Sequence, residues 1–152
     1  MTPDNKHFLT FTVPGVAQPA GSKRYLGRSN AGKAIIADAN PAAAGWKERV
    51  ALVAAQARDE VGWSICTGPL DLNVTIYRAR PKSHYGKNGQ VKATAPPYPT
   101  TRPDRGKVLR AIEDALAGII YADDAQIVGG FVRKRWDMGG AALVVICVER
   151  LD

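Results

Sequence analysis

The stretch RPDRGKVLRAIEDALAGIIYADD, residues 102–124, decides how this sequence folds. Its apolar residues recur at the spacing of one helix face over residues 105–116, and Gly118 follows as a helix-ending glycine. One acid, Asp104, precedes this helix, and the acidic pair Asp123-Asp124 closes the stretch. We therefore predict a helix that begins beside a carboxylate and leads through a turn to two more.

The segments before this stretch predict three strands and a further helix. Residues 69–79 alternate apolar and polar side chains, which is typical of a half-buried strand, and residues 7–13 do the same. Residues 34–37 predict a short strand. Asn40 and Pro41 then suit the N-cap and first position of a helix, and Gly62 suits its end.

The segments after it predict two more strands. Residues 125–136 form the first, with Gly129-Gly130 indicating a bulge or a close backbone approach. Residues 137–140 predict a hairpin turn, and the apolar run 141–149 a central strand. The chain therefore predicts a small α+β domain covering residues 1–152, with two main helices on one mixed β-sheet. Residues 14–33 and 80–101 are expected to be long basic loops.

The charge of the chain points to an anionic partner. The formal net charge is +7 and the isoelectric point is near 9.6, which is typical of binding to nucleic acid or a membrane surface. No apolar run approaches the ~20 residues of a membrane-spanning helix, and the N-terminus does not resemble a signal peptide. Cys66 and Cys147 suit buried thiols, so we expect a cytoplasmic protein without a membrane partner.

Basic residues concentrate before the predicted helix over residues 105–116. Residues 78–110 contain nine Lys or Arg and a single acid, Asp104. Such a run is usually a solvated face, but here it leads directly to a carboxylate, which favours contact with a polyanion. A histidine in such a loop is either simply exposed or stacked on a base. The expected nucleic-acid contacts are Lys23, Arg24, Arg28, Lys82, His84, Arg102, Arg105 and Lys107.

Carboxylates inside a basic region are typical of metal-dependent phosphodiester chemistry. Asp104 has a simpler role as an N-cap, and the two roles are compatible because a cap uses one carboxylate oxygen. If Asp123 and Asp124 lie on a strand, only one of them can face Asp104, and we favour Asp124. Arg110 either neutralises the developing charge or pairs with Asp114. Composition alone does not distinguish DNA from RNA, although no RNA-recognition motif is evident.

The motifs resemble those of the RusA-type Holliday junction resolvases of bacteria and phages. That signature has an Arg- or Lys-Pro-Asp-x-Asp run that opens a helix, and then an aromatic-x-Asp-Asp-x-Gln strand. The chain matches it at residues 102–104, 107–110, 114–116 and 121–127. The segments VPGVAQPAGSKR and RPKSHYG are similar to phage and actinobacterial members of the family.

The resemblance implies a homodimeric, Mg²⁺-dependent crossover junction endodeoxyribonuclease, with Mn²⁺ as a substitute metal. Such an enzyme binds four-way DNA junctions and resolves them by paired symmetric nicks during recombination and repair. Asp104 matches the first aspartate of the family and Asp124 the last, with Asp123 as a reserve metal ligand. The expected catalytic set is Asp104, Asp124, Arg110 and Lys107.

The sequence departs from the family pattern at one position. The second aspartate of the signature is Gly106 here, and glycine has no side chain with which to bind a metal. Either Asp123 completes the site, or the copy is weakened or inactive, or the residue has been substituted. The alternative function is therefore a junction-binding protein with little or no cleavage activity.

Overall fold

The computed structural model describes residues 7–20, 23–38 and 42–152, and it describes the side chains of all of these except residues 23–26 and 35–38. Two helices and seven strands lie along this part of the chain, in the order βββαβαβββ. Single 3-10 turns lie at Lys82–His84 and Asp124–Gln126. The elements are β1 (Phe8–Pro14), β2 (Lys23–Arg28), β3 (Ala34–Asp38), α1 (Ala42–Val61), β4 (Leu70–Arg78), α2 (Arg105–Leu116), β5 (Ile127–Gly129), β6 (Val132–Trp136) and β7 (Leu143–Arg150).

Five strands form one mixed sheet. β7 lies between β1 and β4 and is antiparallel to both, while β5 and β6 both pair in parallel with the other edge of β4. β2 and β3 form a separate antiparallel pair. The predicted α+β class, with two main helices and a mixed sheet, is confirmed, and so is the central position of the last strand.

The core lies between one face of the sheet and the two helices. Every second residue of β4 from Leu70 to Ile76 is buried, as the alternation predicts. Val108 and Ile112 of α2 and Trp46 and Val50 of α1 pack into the same cluster. Burying a large aliphatic side chain contributes about 1.5–3 kcal/mol, so this shared face holds α2 against the sheet.

The edge strand is interrupted at Gly130, which separates β5 from β6. Gly130 has a φ of +121°, and a Cβ on it would lie 1.9 Å from the carbonyl oxygen of Leu72 in β4. The neighbouring Phe131 N–H donates to Asn73 Oδ1 over 3.0 Å, which repairs the ladder at the interruption. The close backbone approach expected at Gly129-Gly130 is therefore confirmed, although the predicted strand 125–136 is two strands.

The predicted loop 14–33 is only partly correct. Residues 23–28 form β2, and Ser29 and Lys33 close the turn to β3 through a 2.8 Å backbone hydrogen bond. The pairing shifts register between Tyr25 and Gly27, so no regular alternation marks this strand in the sequence. Asn40 and Pro41, the predicted start of α1, lie outside the described residues, while its end before Gly62 is confirmed.

The turn at residues 137–140 does not join a hairpin. Gly140 N–H donates to Asp137 O, so a turn is present, but β6 and β7 both pair with β4 and lie on opposite sides of it. The sequence separation of two strands indicates a hairpin only when no third strand lies between them. Here the long apolar strand β4 occupies that place.

Candidate functional site

Asp104 caps the N-terminus of α2. Its Oδ1 accepts a 3.0 Å hydrogen bond from the backbone N–H of Lys107. That hydrogen bond, together with the charges of Lys107 and Lys134, holds the pKa of Asp104 below its usual value. The side chain is exposed, so at neutral pH it presents an ionised carboxylate with one oxygen free of the cap.

Asp104 lies in a groove of about 880 Å³. One wall is the segment 16–19, which follows β1, and the other is the segment leading into α2. Ala20 N–H donates to Lys107 O over 2.9 Å and ties the first wall to the helix. The charged residues that line the groove are Asp104, Arg78, Arg102, Arg105, Lys107 and Lys134.

Two of these cations were missed from the sequence. Arg78 ends β4 on the face of its buried alternate residues, and Lys134 lies on β6 two residues after Val132, which packs against the core. The continuation of each alternating pattern into a cation is the signal that could have identified them. Burial and the nearby Arg78 lower the pKa of Lys134, while Asp104 opposes this shift.

The Asp123-Asp124 pair does not lie on a strand. Asp123 caps the 3-10 turn that follows, because its Oδ1 accepts from Ala125 N–H over 2.9 Å. This hydrogen bond lowers the pKa of Asp123. A side-chain hydrogen bond in which the protonated Asp124 carboxyl donates to Asp123 raises the pKa of Asp124. The argument that opposite strand faces select Asp124 therefore fails, although Asp124 is still the carboxylate not used as a cap.

Gln126 holds this turn to the rest of the fold. Its Nε2 donates to the carbonyl oxygens of Cys66 and Gly68 over 2.8 and 2.9 Å, and its Oε1 accepts from Asp123 N–H over 2.7 Å. The position of the acidic pair therefore depends on one amide side chain, which the matched motif at residues 121–127 contains but to which the sequence assigned no role.

Replacing Gln126 with alanine should lower the free energy of unfolding by about 2–3 kcal/mol, at about 1 kcal/mol for each of the hydrogen bonds it makes. Urea denaturation of wild type, Gln126→Ala and Gln126→Glu measures this. The glutamate variant keeps the acceptor and loses both donors. Gln90→Ala, which truncates an exposed amide side chain, is the control. A loss no larger than that of the control would show that the contacts of Gln126 do not stabilise the turn.

The acidic pair lies at the opposite end of α2 from Asp104. Burial raises the pKa of Glu113 on α2, and the nearby charge of Asp124 adds to the shift. Glu113 is nine residues beyond Asp104, on the order of 13 Å along the helix axis. The positive charge of Arg110 opposes this rise in the pKa of Glu113. Asp114 forms its ion pair with Lys47, at 3.4 Å, and not with Arg110.

The structure therefore divides the predicted site between the two ends of α2. Arg102, Arg105 and Lys107 surround Asp104 in the groove. Asp123 and Asp124 lie together near Glu113. Over residues 7–20, 23–38 and 42–152, no group of three or more His, Cys, Asp or Glu side chains has a metal-binding arrangement.

Part of the predicted basic loop 80–101 is anchored rather than solvated. His84 packs edge-on against Trp136 of β6, with their ring centroids 5.2 Å apart, and its Nδ1 lies 3.2 Å from Arg80 Nη1. Trp136 Nε1 donates to Pro96 O over 3.0 Å. His84 therefore has a structural role in fastening the loop, which the sequence analysis did not foresee.

The remaining predicted DNA contacts lie elsewhere. Arg28 is exposed on the β2–β3 pair and donates to Gly32 O over 2.8 Å, and Lys82 is exposed in the loop turn before His84. Neither residue lines the groove at Asp104. The side chains of Lys23 and Arg24 lie outside the described residues, although their backbone belongs to β2.

Gly106 lies beside the Asp104 carboxylate. A Cβ built on it would be 3.2 Å from Asp104 Oδ1 and would meet no other heavy atom within 4 Å. A side chain at this position would therefore extend beside Asp104 into open space. The family's second aspartate would stand there.

The donor chemistry of the groove fits a hard cation only in part. Mg²⁺ binds through one or two carboxylates and completes its shell with waters and phosphate oxygens. Asp104 offers one exposed, ionised carboxylate, and no second carboxylate joins it in the described part of the chain. A single chain could therefore hold a metal ion through Asp104, waters and substrate oxygens. It does not bring together three carboxylates like those of the family signature.

A basic surface groove with an ionised carboxylate, on a small α+β fold, is typical of proteins that act on nucleic acid. The family described as Endodeoxyribonuclease RusA matches residues 16–147, and this chain belongs to that family. Membership implies Holliday junction resolvase activity and binding to branched DNA, and nucleases of this kind typically use a divalent metal ion.

A relative from Bacillus subtilis (strain 168), named "Uncharacterized protein YqaN", is 39% identical over 129 residues. The match covers 83% of this chain and 86% of the relative. Among the described helices, none is long and apolar enough to cross a membrane.

Proposed function

We propose that this protein is a Mg²⁺-dependent, structure-selective endodeoxyribonuclease that resolves four-way DNA junctions in recombination and repair. The observation that carries the proposal is the Asp104 carboxylate in a cationic groove, in a chain of the RusA family. The two free cysteines support a cytoplasmic setting.

The residues around the groove have separate roles in this proposal. Asp104 binds the metal, for which Mn²⁺ can substitute. When bound, the metal activates a water and stabilises charge on the scissile phosphate. Arg102, Arg105 and Lys107 bind the DNA backbone, and Lys107 also neutralises charge at the reacting phosphate. Arg28 and Lys82 extend this contact beyond the groove.

The proposed catalytic set is completed from the other end of α2. It includes Arg110 and Asp124, and Asp123 is a reserve metal ligand. Their contribution needs a partner surface or a movement that brings them to the same phosphate as Asp104. We propose that the active form is a homodimer, because two equivalent nicks are most simply made by two sites related by a two-fold axis. Light scattering should then give about twice the 16.3 kDa mass of the chain.

A second candidate is a junction-binding protein with weak or no cleavage. Gly106 and the excess of cations around Asp104 favour it, because a metal ion there has one carboxylate and several like charges as neighbours. The two candidates share the DNA surface and differ only in the chemical step.

Replacing Asp104 with asparagine separates them. Asparagine is an equally good N-cap, so the helix should keep its stability while the carboxylate charge is lost. We expect the wild type to cut a synthetic four-way junction with Mg²⁺ and not with EDTA. We expect Asp104→Asn to cut the junction at a rate reduced by about a hundredfold or more, while still binding it.

The measurement compares the cleavage rates of wild type and Asp104→Asn on one labelled junction. Thermal unfolding of both proteins is the control for folding. A wild type that binds the junction and never cuts it would favour the second candidate. Equal cleavage by both proteins would remove Asp104 from the site.

A further inference from the structure

Two cations of the Asp104 groove come from the sheet rather than from α2. Arg78 is the last residue of β4, and Lys134 lies in the middle of β6, which pairs with β4 in parallel. Both follow the alternation of core residues on their strands, so both point to the helix side of the sheet. The two half-buried side chains thus reach the floor of the groove next to Asp104.

Both cations are held by backbone carbonyls of the segment leading to Asp104. Lys134 Nζ donates to Thr101 O over 2.8 Å and to Pro103 O over 3.1 Å, and Arg78 Nη1 donates to Arg102 O. An ammonium group has three N–H donors and a guanidinium five. These contacts therefore fix both charges in place and leave donors for a ligand.

Neither cation forms an ion pair with a carboxylate of the described residues, although the charge of Asp104 acts on Lys134. The ion pairs within the described part of the chain are Lys47–Asp114 and Arg58–Asp59, both remote from the groove lining. A half-buried charge without a counter-ion carries a desolvation cost, which an incoming anion offsets. With Arg102, Arg105 and Lys107 also present, the groove holds five cations against one carboxylate.

We propose that Arg78 and Lys134 form a seat for a DNA phosphodiester beside Asp104. This rests on the proposed function, since the ligand is a DNA strand, and it names the groups that hold that strand against the carboxylate. A phosphate oxygen supplies the counter-ion that the two cations lack. Their fixed positions set where the phosphate lies, whereas the exposed side chain of Lys107 adds charge with less precision.

The test measures junction binding in EDTA, so that no cleavage occurs, across a series of salt concentrations. Lys134→Met and Arg78→Met should each reduce the slope of log affinity against log salt by about 0.9, the value for one lost phosphate contact. Lys134→Arg should keep the wild-type slope. Arg133→Met is the matched control, because Arg133 is exposed on the opposite face of the same strand, with its guanidinium 3.8 Å from the Phe131 ring.

A second measurement changes single phosphates of the DNA, in case the protein variants disturb the segment 101–103. Junctions with single neutral methylphosphonates near the branch point should include one that weakens wild-type binding and leaves Lys134→Met unaffected. The proposed phosphate seat would be overturned if Lys134→Met had the wild-type salt slope, or if Lys134→Met and Arg133→Met reduced the slope equally. It would also be overturned if no such junction were found. Failure of the proposed function has a different signature, namely binding without Mg²⁺-dependent cleavage.

Discussion

Replacing Gly106 with aspartate is expected to increase Mg²⁺ affinity and the rate of junction cleavage by about tenfold or more. The Cβ of the new residue lies 3.2 Å from Asp104 Oδ1, so a second carboxylate stands beside the first. The excess of positive charge around Asp104 falls at the same time. Calorimetric titration with Mg²⁺ and cleavage rates over a series of Mg²⁺ concentrations measure the two effects.

Gly106→Asn is the matched control, because asparagine has almost the same size and no charge. Gly106→Ala reports the effect of a stiffer backbone alone. Folding should not suffer, since removing glycine from a helix contributes up to ~1 kcal/mol and an acid in the first turn a few tenths more. If Gly106→Asp and Gly106→Asn bind Mg²⁺ equally weakly, Asp104 is not part of a metal site in the isolated chain.

The largest loss of stability is expected for Gly130→Ala, at about 3 kcal/mol or more. The new Cβ would lie 1.9 Å from Leu72 O, and the neighbouring atom is rigid backbone of β4. The φ of +121° adds strain for any residue with a side chain. Urea denaturation followed by circular dichroism measures the change, and insoluble expression would be its extreme form.

Two other glycines separate the contribution of the backbone clash from that of the positive φ. Gly140→Ala has the same kind of positive φ, +77°, but meets nothing within 4 Å, so it reports backbone strain alone. Gly129→Ala meets only the flexible carboxylate of Asp71 and has no positive φ. Both should cost less than Gly130→Ala. A Gly130→Ala protein as stable as Gly140→Ala would show that β5 and β6 can move away from β4.

The elements with strong apolar periodicity could be predicted from the sequence. The alternation in β4 and the helical stripe of α2 follow directly from burial on one face, and Asp104 is the cap that its position predicted. The pairing partners could not be predicted in this way. Whether β6 pairs with β7 or with β4 depends on contacts between distant segments, which local periodicity does not record.

The site was predicted in parts rather than as an arrangement. The acids and bases near Asp104 were read from one continuous stretch, so Lys134, which reaches the groove from another strand, was missed. The same limitation placed Asp124 next to Asp104 because both flank α2, although a helix of twelve residues holds its ends apart. Gln126 belongs to the matched motif at residues 121–127, but its spacing alone did not show that its amide fastens the turn.

The strand order makes the beginning of this chain dependent on its end. β1 pairs only with β7 in the described sheet, and β7 is also the strand that joins β1 to β4. β1 therefore gains its partner strand only after β7, which lies far along the chain, has been made. Contacts of such long sequence separation slow folding, and unpaired strand edges invite association with other chains. During synthesis the edge of β1 thus stays open to association with other chains until β7 has been made.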